Sequence, residues 1–297
     1  MLSFEDSAES IPILNEFMAE LARRGYREDV NLKIVRRNAA LDGRNFDRMA
    51  LDLVEQRPDL IVTTAGTASV QAAKRATSTI PIVMLSSVEP VRDGLVSSLA
   101  RPGGNLTGNS LNGIELLVKR LQLIADIVRP KRIGYLGIQR SAFMRHFDEY
   151  MAAIASAAQA HGAELQTFIP NSLDELPAVF ADMKRREVQA LLIDNPAVFY
   201  MNASRIARMV VGERIPAIAE GRAWATSGVL ITYGIDYLDL ARKAVAYVDR
   251  IAKGAKPQDL PVEQATRFEL VINMKTANAL GVEIPQRILL LANEVLR

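Results

Sequence analysis

The residues best suited to chemistry lie where short apolar runs end. The stretch "TTAGTAS" (63–69) closes one such run and opens a helical pattern, setting Thr67 and Ser69 at the helix start. Hydroxyls and backbone N–H groups there hold a carboxylate well, and the helix dipole adds to the attraction; the same residues also serve as ordinary N-caps. The next apolar run ends in Ser86-Ser87, again small hydroxyls. "IPAIAEGRAW" ends a run with Glu220, an acid that receives an ammonium group or simply sits in solvent. Asp236 follows "TYGI" as a second acid at such a place. Phe143, Phe199, Tyr200 and Trp224 supply aromatic faces, either for a ligand wall or for a core.

Other chemistries lack their residues. The chain has no cysteine, which excludes disulfides, thiolate metal sites and cysteine nucleophiles. Its two histidines, His146 and His161, fall on predicted helices without the spacing of a metal pair or a triad. There is no G-x-S-x-G elbow, no G-x-G-x-x-G and no G-x-x-x-x-G-K-[ST], so neither an enzyme nor a cofactor is indicated. "SLARPGGNLTG" (98–108) looks at first like a phosphate loop. It follows a predicted helix rather than a strand, so Pro102 and Gly103 read as a helix stop and Gly104-Asn105 as the turn into a strand.

The elements that must position these residues alternate. The end of a strand is predicted over residues 1–4, and strands over 30–35, 59–64, 81–87 and "NLTGNS". Helices lie between them: the stripe Leu14, Phe17, Met18, Leu21, then 44–57, 67–77 and a short one over 91–100. A second series has strands over 131–138, 163–169, 189–195, 215–220, 229–234 and 267–273. Its helices are striped by Ile114, Leu117, Leu121, Ile124 and Val128, by Phe143, Phe147, Ile154 and Ala158, and by Ala241, Ala244, Val245, Val248 and Ile251; others cover 174–187, 198–212 and 274–280. Such alternation implies βαβ units and parallel sheets. The passage "EQRPDLIVTT" to "TIPIVMLSS" resembles "KRREVQALLID" to "RIPAIAE", which suggests two similar α/β lobes in succession. Ligands of parallel α/β sheets sit beyond the carboxyl ends of the strands, so two facing lobes would hold one in the cleft between them.

With 297 residues the chain is long enough for two cores without staples. Its 36 basic and 34 acidic side chains are interspersed, net +2, with no stripe for nucleic acid. No apolar run reaches the ~20 residues of a membrane span. "MLSFEDSAES" reads as a strand end followed by a polar loop rather than a signal peptide, so a leader and the rest of that strand are expected upstream.

Several stretches together resemble a known family. "KRATSTIPIVMLSSVEPVRDGLVSSLARPGGNLTG", "AGTASVQAA", "IPAIAEGR", "LITYGIDYLDLARKAVAYVDRIAKGAKPQDLPVEQATRFELVINMKTANALG" and "IPQRILLLANEVL" are similar to the ABC-transporter substrate-binding proteins of the tryptophan/tyrosine-binding type. The resemblance implies a type I periplasmic-binding-protein clamshell with three hinge crossings: lobe 1 over 1–109 and 235–262, lobe 2 over 110–234 and 263–297. Hinge bending is expected near Asn109 and Tyr233. The implied role is non-enzymatic. A monomer outside the cytoplasm captures a small carboxylate-bearing ligand, an amino acid or an aromatic acid, and delivers it to a membrane permease, with no cofactor. An effector-sensing module of the same fold is the alternative reading. The family's ligand loops map onto Ser7-Ala8, Gly66-Thr67 and Ser87 to Glu89 in lobe 1. In lobe 2 they map onto the loops near Gln139 (with Phe143), Asn195-Pro196, Glu220 and Asp236. Thr67 would take the carboxylate and Glu220 the amine.

Overall fold

The computed structural model describes residues 1–3, 11–38, 45–137 and 147–297. The chain divides into two compact units, Met1–Asn112 with Asp236–Arg267, and Gly113–Ile235 with Phe268–Arg297. It therefore passes from one unit to the other three times, at 112/113, 235/236 and 267/268.

The first unit holds β1 (Leu2–Ser3), α1 (Ile11–Arg23), β2 (Arg37–Asn38), α2 (Phe46–Glu55), β3 (Ile61–Thr63), α3 (Gly66–Ala76), β4 (Ile82–Val88) and β5 (Leu106–Leu111). The second unit adds α4 (Gly113–Val128), β6 (Arg132–Leu136), α5 (Phe147–Ala160), β7 (Glu164–Phe168), α6 (Leu176–Arg185), β8 (Ala190–Ile193), α7 (Ala197–Tyr200), α8 (Ala203–Gly212), β9 (Ala217–Ala219), α9 (Arg222–Thr226) and β10 (Ile231–Ile235). The chain returns for α10 (Tyr237–Ala252) and β11 (Glu263–Gln264), then closes with β12 (Phe268–Asn273), α11 (Met274–Leu280), α12 (Gln286–Leu289) and β13 (Glu294–Leu296).

The first sheet runs β11-β5-β4-β3-β1-β2, all pairs parallel. The second runs β13-β12-β10-β9-β8-β6-β7, parallel except where β12 meets β10. That exception follows from the crossings. The chain leaves the unit at Ile235 and re-enters at Phe268, and these two residues are paired. A strand that starts where its neighbour ends has to run the opposite way.

Apolar strands and helix stripes build a core in each unit. Phe46, Leu53, Val70, Ile82, Met84 and Leu106 are buried together in the first. Phe180, Leu191, Ile206, Phe199 and Trp224 are buried together in the second. Each such side chain contributes about 1.5–3 kcal/mol of burial.

Four sequence expectations change. Residues 30–35 form no strand: Asn31 takes part in a tight turn through Arg27 N and Gly25 O, Asp29 has φ 62°, Val30 is exposed, and Leu32 makes only an isolated bridge to Glu28, so the strand that joins the sheet is β2. The helix over 91–100 is replaced by turns, with the Pro90 carbonyl accepting from both Leu95 and Val96 and Gly94 at φ 67°. The "RPGG" stretch thus stops no helix. Instead Ser97 N donates to Pro102 O, and Gly103 and Gly104 take left-handed φ values of 65° and 145°. The helix over 198–212 is broken into α7 and α8 at residues 201–202, where Asn202 Nδ2 binds back to Val198 O.

One glycine of the stretch is required by the sheet. An added Cβ on Gly108 would lie 2.2 Å from Met84 O, at φ 131°. Gly108 pairs with Met84 beside a register shift in β4 between Met84 and Ser87. Asn109 Nδ2 closes that irregularity by donating to Leu85 O (3.0 Å) and to Leu240 O of α10 (3.2 Å).

Candidate functional site

In the first unit, β3 and β4 deliver two hydroxyls to one place. Thr67, in the first turn of α3, lies 3.2 Å through Oγ1 from Ser87 Oγ. Thr67 Oγ1 also accepts from Val88 N at 3.1 Å. Both residues are buried. Gly66 reaches φ 67°, the left-handed conformation that lets the chain turn from strand into helix. Ser69 is occupied locally: its hydroxyl donates to Gly66 O (2.8 Å) and accepts from Ala65 N (3.3 Å). Ala65, the residue before α3, makes no side-chain cap, and the first turn, which carries the positive end of the helix dipole, has no acidic residue of its own. Glu89 follows β4 at φ 52°, with its N–H facing Leu111 O.

In the second unit, the carboxyl ends of β6, β8 and β9 carry a buried polar cluster. Arg120, on the apolar face of α4 and 2% exposed, donates from Nε to Tyr233 O (2.7 Å) and from Nη2 to Glu220 Oε2. Glu220 fits against Gly234, where any Cβ would come within 2.6 Å of Glu220 Cγ. Asp194, just past β8, is fully buried. Its Oδ1 accepts from Asn195 N at 2.8 Å, and its N–H donates to Leu136 O. Burial pushes the Asp194 carboxyl up to about 6, opposed by hydrogen bonds from Asn195 N and the Tyr135 hydroxyl and by the Arg120 charge. Burial and the neighbouring Asp194 push the Tyr135 phenol far above its usual range, so Tyr135 remains a donor. Asn195 in turn accepts at Oδ1 from Trp224 Nε1 (3.2 Å).

The sequence candidates separate accordingly. Thr67 and Ser87 are brought together, with Gly66 and Glu89 on the flanking turns. Glu220 is held by Arg120, and Asn195 and Pro196 follow Asp194 into α7. Phe199 and Trp224 belong to the core. Asp236 lies in the first unit and caps α10 by accepting from Asp239 N at 2.9 Å. Ser7, Ala8, Gln139 and Phe143 lie outside the described residues.

Arg120, Tyr135 and Asp194 were not among the sequence candidates. Arg120 stands at helical spacing between Leu117 and Ile124, a charge within an apolar stripe, and that was its signal. An open depression of about 600 Å³ lined by Arg101, Gly103, Gly104, Gln258 and Asp259 lies elsewhere, at the amino ends of β5 and β11. Ligands of parallel sheets bind at the other end. Among the described residues no group of acids and histidines forms a metal centre, and no helix is long and apolar enough to cross a membrane.

Comparison with known proteins agrees on one family. Residues 11–296 match the family model described as ABC transporter substrate binding protein. A tyrosine-binding protein of Clostridioides difficile is 30% identical over 268 residues, covering 90% of this chain and 76% of the relative. An ABC domain from Streptococcus pneumonia, solved in complex with L-Trp, superposes with TM-score 0.88 at 27% identity, covering 99% of this chain and 98% of that one. A conserved domain protein from Vibrio cholerae shares the fold, with TM-score 0.87 at 23% identity, covering 99% and 97%. The α/β architecture with mainly parallel sheets is that of the type I periplasmic binding proteins. These relatives are solute-binding proteins rather than enzymes. The chain belongs to the family of ABC transporter substrate-binding proteins.

Proposed function

We propose that this protein captures a small carboxylate-bearing ligand, an amino acid or an aromatic acid, outside the cytoplasm and hands it to a membrane permease. Family membership supports the transport role. The tyrosine- and tryptophan-binding relatives support the ligand class. The observation that carries the carboxylate is the buried Thr67–Ser87 hydroxyl pair at the start of α3, whose N-cap residue, Ala65, makes no side-chain cap. Thr67 Oγ1 already accepts from Val88 N, and the two hydroxyls stand within hydrogen-bonding distance of one another. A hydroxyl donor and the first-turn amides then remain to meet an anion, the arrangement that a carboxylate satisfies. Gly66 and Glu89 frame this place, and the resemblance assigns Ser7 and Ala8 to it as well.

In the second unit, the loops at Gln139, Phe143, Asn195-Pro196 and Glu220 complete the proposed contacts. A ligand that engages groups from both units favours the closed form by its differential affinity for that form, and the three crossings are the places that flex. The protein acts as a monomer, without cofactor. A thermal-shift screen of the twenty amino acids and a set of aromatic acids tests the reading. At least one is expected to raise the melting temperature; no response from any of them would refute it.

A further inference from the structure

Two leucines of the second unit stand out in solvent beside the candidate site. Leu290 and Leu291 are 78% and 68% exposed, and among the described residues they are the one consecutive pair of exposed large apolar side chains. A single exposed hydrophobic such as Val30 is ordinary; an adjacent pair held out by hydrogen bonds is a candidate contact surface. The turn that carries them is ordered. Leu290 N donates to Gln286 O, Leu291 N to Ile288 O and Ala292 N to Leu289 O. Ile288 is buried and anchors the near side. Asn293 fixes the far side, donating from its N–H to Leu270 O (2.9 Å) and accepting at Oδ1 from Leu270 N (2.8 Å). Exposure of this degree leaves neither leucine a part in the core.

The place of the turn in the fold points to its partner. β10 ends at Ile235, and Phe268, the first residue of β12, pairs with it there. β13 runs parallel to β12, and Asn293 enters beside Leu270. The turn thus stands toward the edge where β9 and β10 end, the end at which parallel sheets hold ligands. A second contact ties it to the same place: Arg222, two residues after Glu220, donates from Nε and Nη2 to the two carboxylate oxygens of Glu294 (2.6 and 2.7 Å). Whatever takes a ligand from this edge meets the leucines as well. The charges nearest to them along the chain are matched within the protein, Glu294 by Arg222 and Arg287 by Asp126 at 3.1 Å. Arg287 is therefore not left as a free cation for a lipid headgroup, and two side chains fall far short of the roughly 800 Å² per partner that a stable dimer buries. We infer that Leu290 and Leu291 form a docking surface for the membrane permease, seated in an apolar pocket of that partner and recognised by shape and burial rather than by charge. The inference rests on the transport role proposed above and adds to it the surface through which the partner is met. Arg222 and Glu294 are positioning residues, since their pair ties the turn to the helix that follows Glu220.

Uptake separates docking from ligand binding. The full chain, loaded with the radiolabelled amino or aromatic acid that gives the largest shift in the screen above, is titrated onto proteoliposomes that hold the permease and ATPase of its transporter. Leu290→Asp with Leu291→Asp is expected to raise the protein concentration for half-maximal uptake at least about tenfold, the effect of losing as little as one buried leucine contact. Its ligand Kd by titration calorimetry and its melting temperature are expected to match the wild type, since both positions are exposed. Leu290→Met with Leu291→Met keeps an apolar surface and is expected to retain wild-type uptake. Wild-type uptake by the Asp variant overturns the inference and leaves the transport role intact, and so does a variant whose ligand Kd weakens in step with its uptake. A wild type that sediments as a dimer which the Asp variant dissolves assigns the surface to a second copy and overturns it too. Binding to vesicles of phosphatidylcholine and phosphatidylglycerol without permease, lost in the Asp variant, assigns the surface to lipid with the same consequence. A wild type that binds no compound of the screen, or binds one and supports no uptake, removes the transport reading and this inference together.

Discussion

At the residue scale, two buried acids of the second unit, Glu220 and Asp194, are held in different ways. Glu220→Ala leaves Arg120 buried without its carboxylate, and breaking such a pair costs about 3–5 kcal/mol. Chemical denaturation is expected to show that loss, and removing Arg120 as well (Arg120→Met with Glu220→Leu) is expected to recover most of it. Asp194 gives a pH signature of opposite sense to an ordinary surface acid. Its carboxyl, at about 6 when folded and about 3.9 when unfolded, holds its proton more tightly in the native state. Stability from this group is therefore complete below about pH 4 and is lost as pH rises through 6, a total of about 3 kcal/mol for the ligand-free protein. The groups that face it are Tyr135, Asn195 N, Arg120 and Glu220. Unfolding free energies measured from pH 4 to 7 are expected to decline relative to Asp194→Asn over that window; parallel curves would contradict it. The sequence alone could not separate these acids. "LLIDN" and "AIAEG" both end apolar strands with an acid, and only the approach of Arg120 from α4 decides that Glu220 is the one it binds directly.

At the element scale, the pattern of strands and helices was legible because each half-buried element repeats its apolar residues at its own period. The failures are local and share a cause. Residues 30–35 alternate as a strand does, yet Asn31 side-chain bonds and a left-handed Asp29 fold the stretch into a turn. Residues 91–100 carry helix-compatible side chains, yet Pro90 and Gly94 set turns there. Side-chain bonds to nearby backbone compete with regular structure and leave no periodic trace. The glycines of "ARPGGNLTG" were equally misleading about their purpose. Gly108 is the one the sheet requires, because Met84 O occupies the space of a Cβ. Gly108→Ala forces backbone apart between β4 and β5 in a conformation that side chains rarely adopt, and a loss of more than about 3 kcal/mol is expected in a denaturant melt. Gly104→Ala has open space around it and is expected to cost less, from its φ alone. The same melt compares the two.

At the scale of the whole molecule, the chain builds two units, each with its own core and sheet, and crosses between them three times. Fold and family were readable from the sequence because long stretches, not single motifs, carry them. The site was readable in part. Thr67 and Ser87 stand in the sequence as hydroxyls at strand ends, and the structure sets them 3.2 Å apart. Asp236 caps α10, and an N-cap and a ligand acid share residue type and position at a strand-to-helix turn. The most direct test of the proposed function is thermal unfolding of the wild type and Thr67→Ala with the tightest-binding amino acid at a hundred times its Kd. Ligand at that excess stabilises the native state by about 2.7 kcal/mol, a rise of roughly 5–10 °C for units of this size. That rise is expected in the wild type, and a clearly smaller one in Thr67→Ala at the same ligand concentration. Equal shifts in the two proteins would contradict it.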